Sequence, residues 1–301
     1  MAFLPQRTYS RWTLVLTALG VFVVGGFYLR ERAAIFNEGL GALACAATTA
    51  NVALPFKYPF SVDGRLEEVG VLENSSSPYW WVSSGAFLDL KGGLGRTNQG
   101  DLGLNSKWQL LYNKNNPIDT DGGLHPQNIF RMTTRAKWQD ASHEIFYRID
   151  RNQLSASVSR NASNGLLQMT RYVDQNNLYY TGLRVDGYAV IKKKIGGKYY
   201  TMYYKPYFNV VKKYDRLLNP NLLPLDTWIG LKTVTKNLDA SRVSITFYSD
   251  VGRTGTWTQI ASVIDDGKAY GGPALTAAGV SGLRTDFMDV SMDDFAVTAA
   301  P

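Results

Sequence analysis

The sequence predicts an all-β protein, an antiparallel sandwich or barrel preceded by a single N-terminal transmembrane helix. Three observations carry this. From Phe56 onward, short runs of alternating apolar and polar residues recur between turn residues roughly every 8–14 positions. Helical 3.6-residue periodicity is nearly absent from the same stretch. Upstream, the 18 residues from Trp12 to Leu29 carry no charge, just enough for a helix to cross a hydrocarbon core. Composition agrees with a folded chain, because 45% hydrophobic and 13% aromatic residues bury enough surface to offset the entropy of ordering. The single Cys excludes a disulfide framework and a Cys-based zinc site, and two His, His125 and His143, leave little for a His-rich metal centre.

Arg7 and Arg11 precede the apolar stretch, and Arg30, Glu31 and Arg32 follow it at once. A cleavable signal has a shorter apolar core followed closely by small residues, whereas here the nearest small-x-small site is Ala42-Leu43-Ala44. Residues 1–32 therefore read as a retained membrane anchor, with a cleaved signal segment as the alternative. Both place the rest of the chain outside the cytoplasm, either anchored or secreted. Residues 33–55, rich in Ala, Gly and Thr and including Cys45, read as a flexible linker. Residues 56–301 show no internal repeat or second linker and read as one β domain.

Within that domain the strand runs are Tyr79–Val82, Glu144–Ile149, Leu166–Val173 and Val243–Tyr248. In the last, Val243, Ile245 and Phe247 alternate with Ser244, Thr246 and Tyr248, so one face meets a core and the other water. Between Leu178 and Tyr204, Asp186-Gly187 and Gly196-Gly197 both suit two-residue hairpin loops, which need positive φ. Counting outward pairs Val185 with Tyr188, Leu183 with Val190, Tyr180 with Lys193 and Lys194 with Tyr199. A three-stranded meander results. This register places Tyr179, Lys192, Lys194, Tyr199, Thr201 and Tyr203 on one face, solvent-facing near its Lys192/Lys194/Tyr199/Thr201 end.

Three blocks together resemble a known superfamily: Pro78-Tyr79-Trp80-Trp81 leading into Ser83–Leu88, Asn177–Gly187 (NLYYTGLRVDG), and the closing Met292-Asp293-Asp294-Phe295-Ala296-Val297. They are similar to the concanavalin A-like lectin/glucanase superfamily, including its laminin G-like jelly rolls. The resemblance covers about Phe56 to Thr298 and implies two antiparallel sheets with a concave face that often holds a glycan. It also implies that the closing strand pairs with an early one near Phe60 to Leu66. Members include lectins, glycoside hydrolases, polysaccharide lyases and adhesive modules, so fold alone does not assign function.

The superfamily's hydrolases carry a Glu-x-Asp-x-x-Glu strand pattern that this chain lacks. Glu144 and Asp150 share a strand face but lie six residues apart, about 20 Å at strand rise, too far to flank one glycosidic bond. For a lyase, Arg131 or Arg135, His143, Tyr180 and Arg184 are suitable residue types, without the family's Gln-x-His motif. Charge speaks more clearly. Between Arg184 and Arg216, nine basic residues face only Asp186 and Asp215, and the segment holds seven Tyr. Basic groups attract anions and flat rings pack on sugar faces, so an acidic polysaccharide, bound but not cleaved, is the expected ligand. The expected binding residues are Tyr179, Arg184, Lys192, Lys194, Tyr199 and Tyr203, supported by Trp138. A polysaccharide-cleaving enzyme of the same fold, lyase or glycoside hydrolase, is the alternative, and a protein-binding adhesion module a third. Nucleic acid is not expected as a partner, given the expected export. Asp119-Thr120-Asp121-Gly122-Gly123 leaves calcium open; no other cofactor is called for.

Overall fold

The structure, a computed structural model, describes residues 52–208 and 211–301. The apolar Trp12–Leu29 segment and the linker up to residue 51 lie outside them. The first strands are β1 (Phe56–Tyr58), β2 (Gly64–Glu67), β3 (Trp80–Ser84), β4 (Phe87–Lys91) and β5 (Leu94–Thr97), followed by helix α1 (Lys107–Asn115). Then come β6 (Phe130–Trp138), β7 (Ala141–Asn152), β8 (Gly165–Asp174), β9 (Asn177–Arg184), β10 (Tyr188–Ile195) and β11 (Lys198–Pro206). The chain closes with β12 (Trp228–Asn237), β13 (Val243–Val251), β14 (Thr258–Asp265), β15 (Gly279–Thr285) and β16 (Met288–Ala299).

These strands form two antiparallel sheets, the sandwich that the alternating pattern predicts. One runs β14-β13-β12-β7-β16-β5-β4-β2, with β1 paired to β16; the other runs β11-β10-β9-β8-β15-β6-β3. Their inner faces meet in one core. Ile145, Tyr147 and Ile149 of β7 and Val243, Ile245 and Phe247 of β13 come from the first sheet. Leu166, Tyr179, Leu183, Ile191, Met132 and Leu283 come from the second. Each is essentially inaccessible, which is what period-2 alternation requires of a strand with one buried face.

Helix α1 was not legible as periodicity. It is short and carried by its ends: the Ser106 side chain accepts from the Gln109 amide, and Tyr112 inserts its hydroxyl against Glu68 and the Gly85 amide. The closing strand also differs from expectation. Residues 295–297 pair with Phe56–Tyr58, upstream of the expected Phe60–Leu66, while Gly64–Glu67 pairs with β4.

The meander forms, with one register corrected. The Gly196-Gly197 loop has two residues, and Lys194 pairs with Tyr199 as expected. The first loop has three, Val185-Asp186-Gly187, closed by the Gly187 amide donating to Arg184 O at 2.8 Å. Gly187 takes φ +80°, the left-handed residue that ends such a loop. Val185 explains the extra residue: its side chain is buried in the core and its amide donates to Asn164 O. Leu183 accordingly pairs with Ala189, and Tyr180 with Lys192. A one-residue slip moves a strand's side chains to the opposite face, so the shift decides what the outer surface of this sheet carries.

Candidate functional site

The outer face of the seven-stranded sheet is built by cross-strand pairing. Register places Tyr180 and Arg184 of β9, Lys192 and Lys194 of β10, Tyr199 and Thr201 of β11, Arg284 of β15 and Arg131 of β6 on this side. Tyr199 is its most open ring, with Lys194 Nζ 4.8 Å and Lys192 Nζ 5.8 Å from the ring centroid and Tyr180 edge-on at 6.0 Å. At the loop end, Arg184 lies 4.6 Å over Tyr204, and Tyr204 stacks on Tyr188 at 4.4 Å. Asp186 Oδ2 accepts from both Arg184 Nη2 and the Tyr204 hydroxyl at 2.8 Å.

Arg131 and Arg284 oppose each other directly on adjacent strands. Like charges in that position repel; Arg284 is paired with Asp286, 2.9 Å from Nε to Oδ1, and Arg131 hydrogen-bonds the Tyr172 hydroxyl. Arg131 Nε and Asp286 Oδ2 are buried without a protein partner. Five cations (Arg131, Arg184, Lys192, Lys194, Arg284) thus share the face with two carboxylates (Asp186, Asp286). The electrostatics follow. Burial, then Arg284, pulls the Arg131 guanidinium down, while Asp286 holds Arg284 up. Burial, then Arg184, lowers Lys192. Burial foremost, then the neighbouring Tyr199, raises the Tyr180 phenol, and burial with the Asp186 contact pushes Tyr204 up to about 12. The arrangement presents fixed positive charge beside aromatic edges and hydroxyls, suited to a polyhydroxylated anion.

Four of the expected binding residues, Arg184, Lys192, Lys194 and Tyr199, come together here. The other three do not. Tyr179 is fully buried on the inner face, where its hydroxyl donates to Asp265 at 2.5 Å and accepts from the Leu275 amide at 2.9 Å. Tyr203 pairs with Ile191 and packs against the core. Trp138 is a core residue stacked on Phe56 at 6.0 Å. The reason for the first two is the shorter β9 and a bulge: β11 slips between Ile191 and Lys192, so Tyr203 and Tyr204 exchange the faces that simple counting assigns. Arg131, Arg284 and Tyr180 were missed as binding residues, and only cross-strand register reveals that they join the lysines.

The lyase set does not assemble. Arg131, Tyr180 and Arg184 share the outer face, but His143 lies 1% exposed between the sheets, with its pKa lowered to about 3 by burial and by Arg171. Arg135 donates to Ser77 O at 2.8 Å elsewhere. The carboxylates of the Asp119–Gly123 loop are bound to neighbouring segments: Asp119 accepts from Ser157 and Asp121 from Ser155, each at 2.6 Å, and Asp121 also meets His125 at 2.9 Å. A groove of about 730 Å³ beside α1 carries the ion pairs Arg65–Asp89 and Lys107–Glu67 and is lined as well by Lys91, Arg96, whose Nε is buried without a partner, and Asp101.

No family model and no curated protein matches the chain. Solved structures do. The carbohydrate-binding module CBM66 from Bacillus subtilis is 12% identical, with 73% of this chain and 95% of that one covered and a TM-score of 0.42. A protein of unknown function with a galectin-like fold from Bacillus subtilis is 10% identical, with 82% and 96% covered and a TM-score of 0.46. A prokaryotic β-1,3-1,4-glucanase (lichenase) derived from a mouse hindgut metagenome is 10% identical, with 81% and 99% covered and a TM-score of 0.42.

Proposed function

We propose that the β domain is a glycan-binding module that holds an acidic polysaccharide on the outer face of its seven-stranded sheet without cleaving it. The observation that carries this reading is the directly opposed Arg131–Arg284 pair, with Lys192, Lys194 and the Tyr180/Tyr199 rings beside it. Two guanidiniums face each other across neighbouring strands with one carboxylate, Asp286, beside them, which leaves a positive charge that an anion would neutralise. Charge-assisted hydrogen bonds to a uronate or sulfate group would do so, while tyrosine rings pack against sugar faces. The apolar N-terminal stretch supports a chain tethered to a membrane, with this domain outside the cytoplasm. The histidine a lyase would use is in the core.

The test is a glycan-array screen of the purified full chain at low and moderate salt. Binding to acidic glycans that weakens with salt is expected. Arg284→Gln should reduce it by about ten- to a hundredfold, the cost of one charge-assisted hydrogen bond. Lys192→Ala with Lys194→Ala should also weaken it. Absence of binding to every glycan would overturn the reading, and an unsaturated uronate product would overturn the statement that the chain does not cleave.

A further inference from the structure

At one end of the sandwich the turn Asp215–Asn219 projects two adjacent leucines into solvent. Leu217 is 82% exposed and Leu218 81%, and Val158 of the neighbouring loop is 81% exposed. The turn is rigid. Asp215 and Asn219 exchange both backbone hydrogen bonds, at 3.1 and 2.9 Å, and Asp215 Oδ1 accepts from the amides of Leu217 and Leu218 at 2.8 Å. Arg216 Nη2 donates to Ala156 O and Ser157 O at 2.6 Å, stitching the turn to the loop that carries Val158. Below the tip, Leu223 is buried in the core and Tyr214 packs against it. Exposed Lys212 and Lys213 stand just before the turn, and Asp215, the acidic residue among them, is committed to the two leucine amides.

We infer that this tip is a docking wedge for bilayers that carry anionic lipid. Apolar side chains held out into solvent on a hydrogen-bonded turn, with exposed lysines beside them, fit the boundary between headgroups and acyl chains. Lys212, Lys213 and Arg216 would then sit at headgroup level, where anionic lipid attracts each cation by about fivefold in partitioning. No loop ordering is required on docking, because the turn is already formed. The inference is independent of the glycan face and of the N-terminal apolar stretch, since it concerns where one turn rests.

A local probe tests it on the full chain. Cys45→Ser with Leu218→Cys, labelled with an environment-sensitive fluorophore, is mixed with vesicles of phosphatidylcholine alone or of phosphatidylcholine and phosphatidylserine at about 3:1. The same label at exposed Leu238, in the β12–β13 loop, is the control, and matching circular dichroism checks that each variant folds. The expected result is blue-shifted, brighter emission at position 218 on the anionic vesicles alone, reversed by salt and absent at position 238. Lys212→Ala with Lys213→Ala should weaken the response by about twenty-fivefold, roughly fivefold for each cation. Water-like emission at position 218 on anionic vesicles would overturn the inference, as would equal shifts at both positions or a shift that ignores lipid charge.

Discussion

The two faces of β10 carry the same residue to opposite ends. Lys192, Lys193 and Lys194 are consecutive, yet the pleat sends the first and third outward beside Tyr199 and the second into the core. Lys193 Nζ lies 2.8 Å from Asp265 Oδ2 with both side chains fully buried, donates to Gly272 O at 2.8 Å, and shares the carboxylate with the Tyr179 hydroxyl. This pair ties β10 of one sheet to β14 of the other. Among the described residues the outer lysines form no ion pair; Lys192 is partly exposed, and Lys194, 8% exposed, lies over the Tyr199 ring. An ammonium group in the core needs a fixed partner to exist at all, whereas one at the surface is free to meet a ligand.

Breaking the inner pair should show the largest effect. Lys193→Ala leaves Asp265 charged and buried, and is expected to destabilise the fold by about 3–5 kcal/mol, read as a fall in the urea midpoint. A loss below 1 kcal/mol would mean that the ion pair does not join the sheets.

Acid should separate the regions next. His143 is neutral in the folded core, its pKa lowered to about 3 by burial and then by Arg171, while an unfolded His titrates near 6.5. Its contribution is therefore complete above about pH 6.5 and is lost as pH falls towards 3, at about 1.4 kcal/mol per unit, because the unfolded chain takes up the proton. His143→Gln should flatten the acid limb of urea midpoint against pH relative to the parent chain; an unchanged slope would refute the assignment.

The loop that decides which lysine faces which way is sharpened by Gly187→Ala. A side chain at φ +80° should cost about 1 kcal/mol, visible in the same denaturation curve. The smallest stability effect belongs to the outer face. Lys192→Ala, the more exposed of the two, should move stability by no more than about 0.5 kcal/mol while weakening acidic-glycan binding, whereas a lysine that held the fold would lower both together.

Much of this molecule was legible in its alternation. Val243, Ile245 and Phe247 face the core as the pattern requires, and the Gly196-Gly197 hairpin pairs Lys194 with Tyr199. The site was half legible: the basic, tyrosine-rich segment supplies Arg184, Lys192, Lys194 and Tyr199. Tyr179 and Tyr203 were misplaced because Val185 is drawn into the core, adding a loop residue, and because β11 bulges; both are tertiary effects that local turn chemistry does not encode. Arg131 and Arg284 lie more than 150 residues apart in sequence and meet only because β15 pairs with β6. Trp138 reads equally well as a sugar platform or as core, and only packing decides.

The position of β16 has a consequence for synthesis. This last strand lies between β7 and β5 and also pairs with β1, formed some 230 residues earlier. Until it leaves the ribosome, β7 and β5 each keep an open edge, and Phe56, Trp80 and Ile145 lack the Phe295 and Met292 layer against which they pack. Strand closure over such a separation is slow, and open edges invite pairing with other chains. The nascent domain therefore spends nearly its whole elongation as a half-closed sandwich, and a chain that stops short of Phe295 should remain aggregation-prone however many of its earlier hairpins have formed.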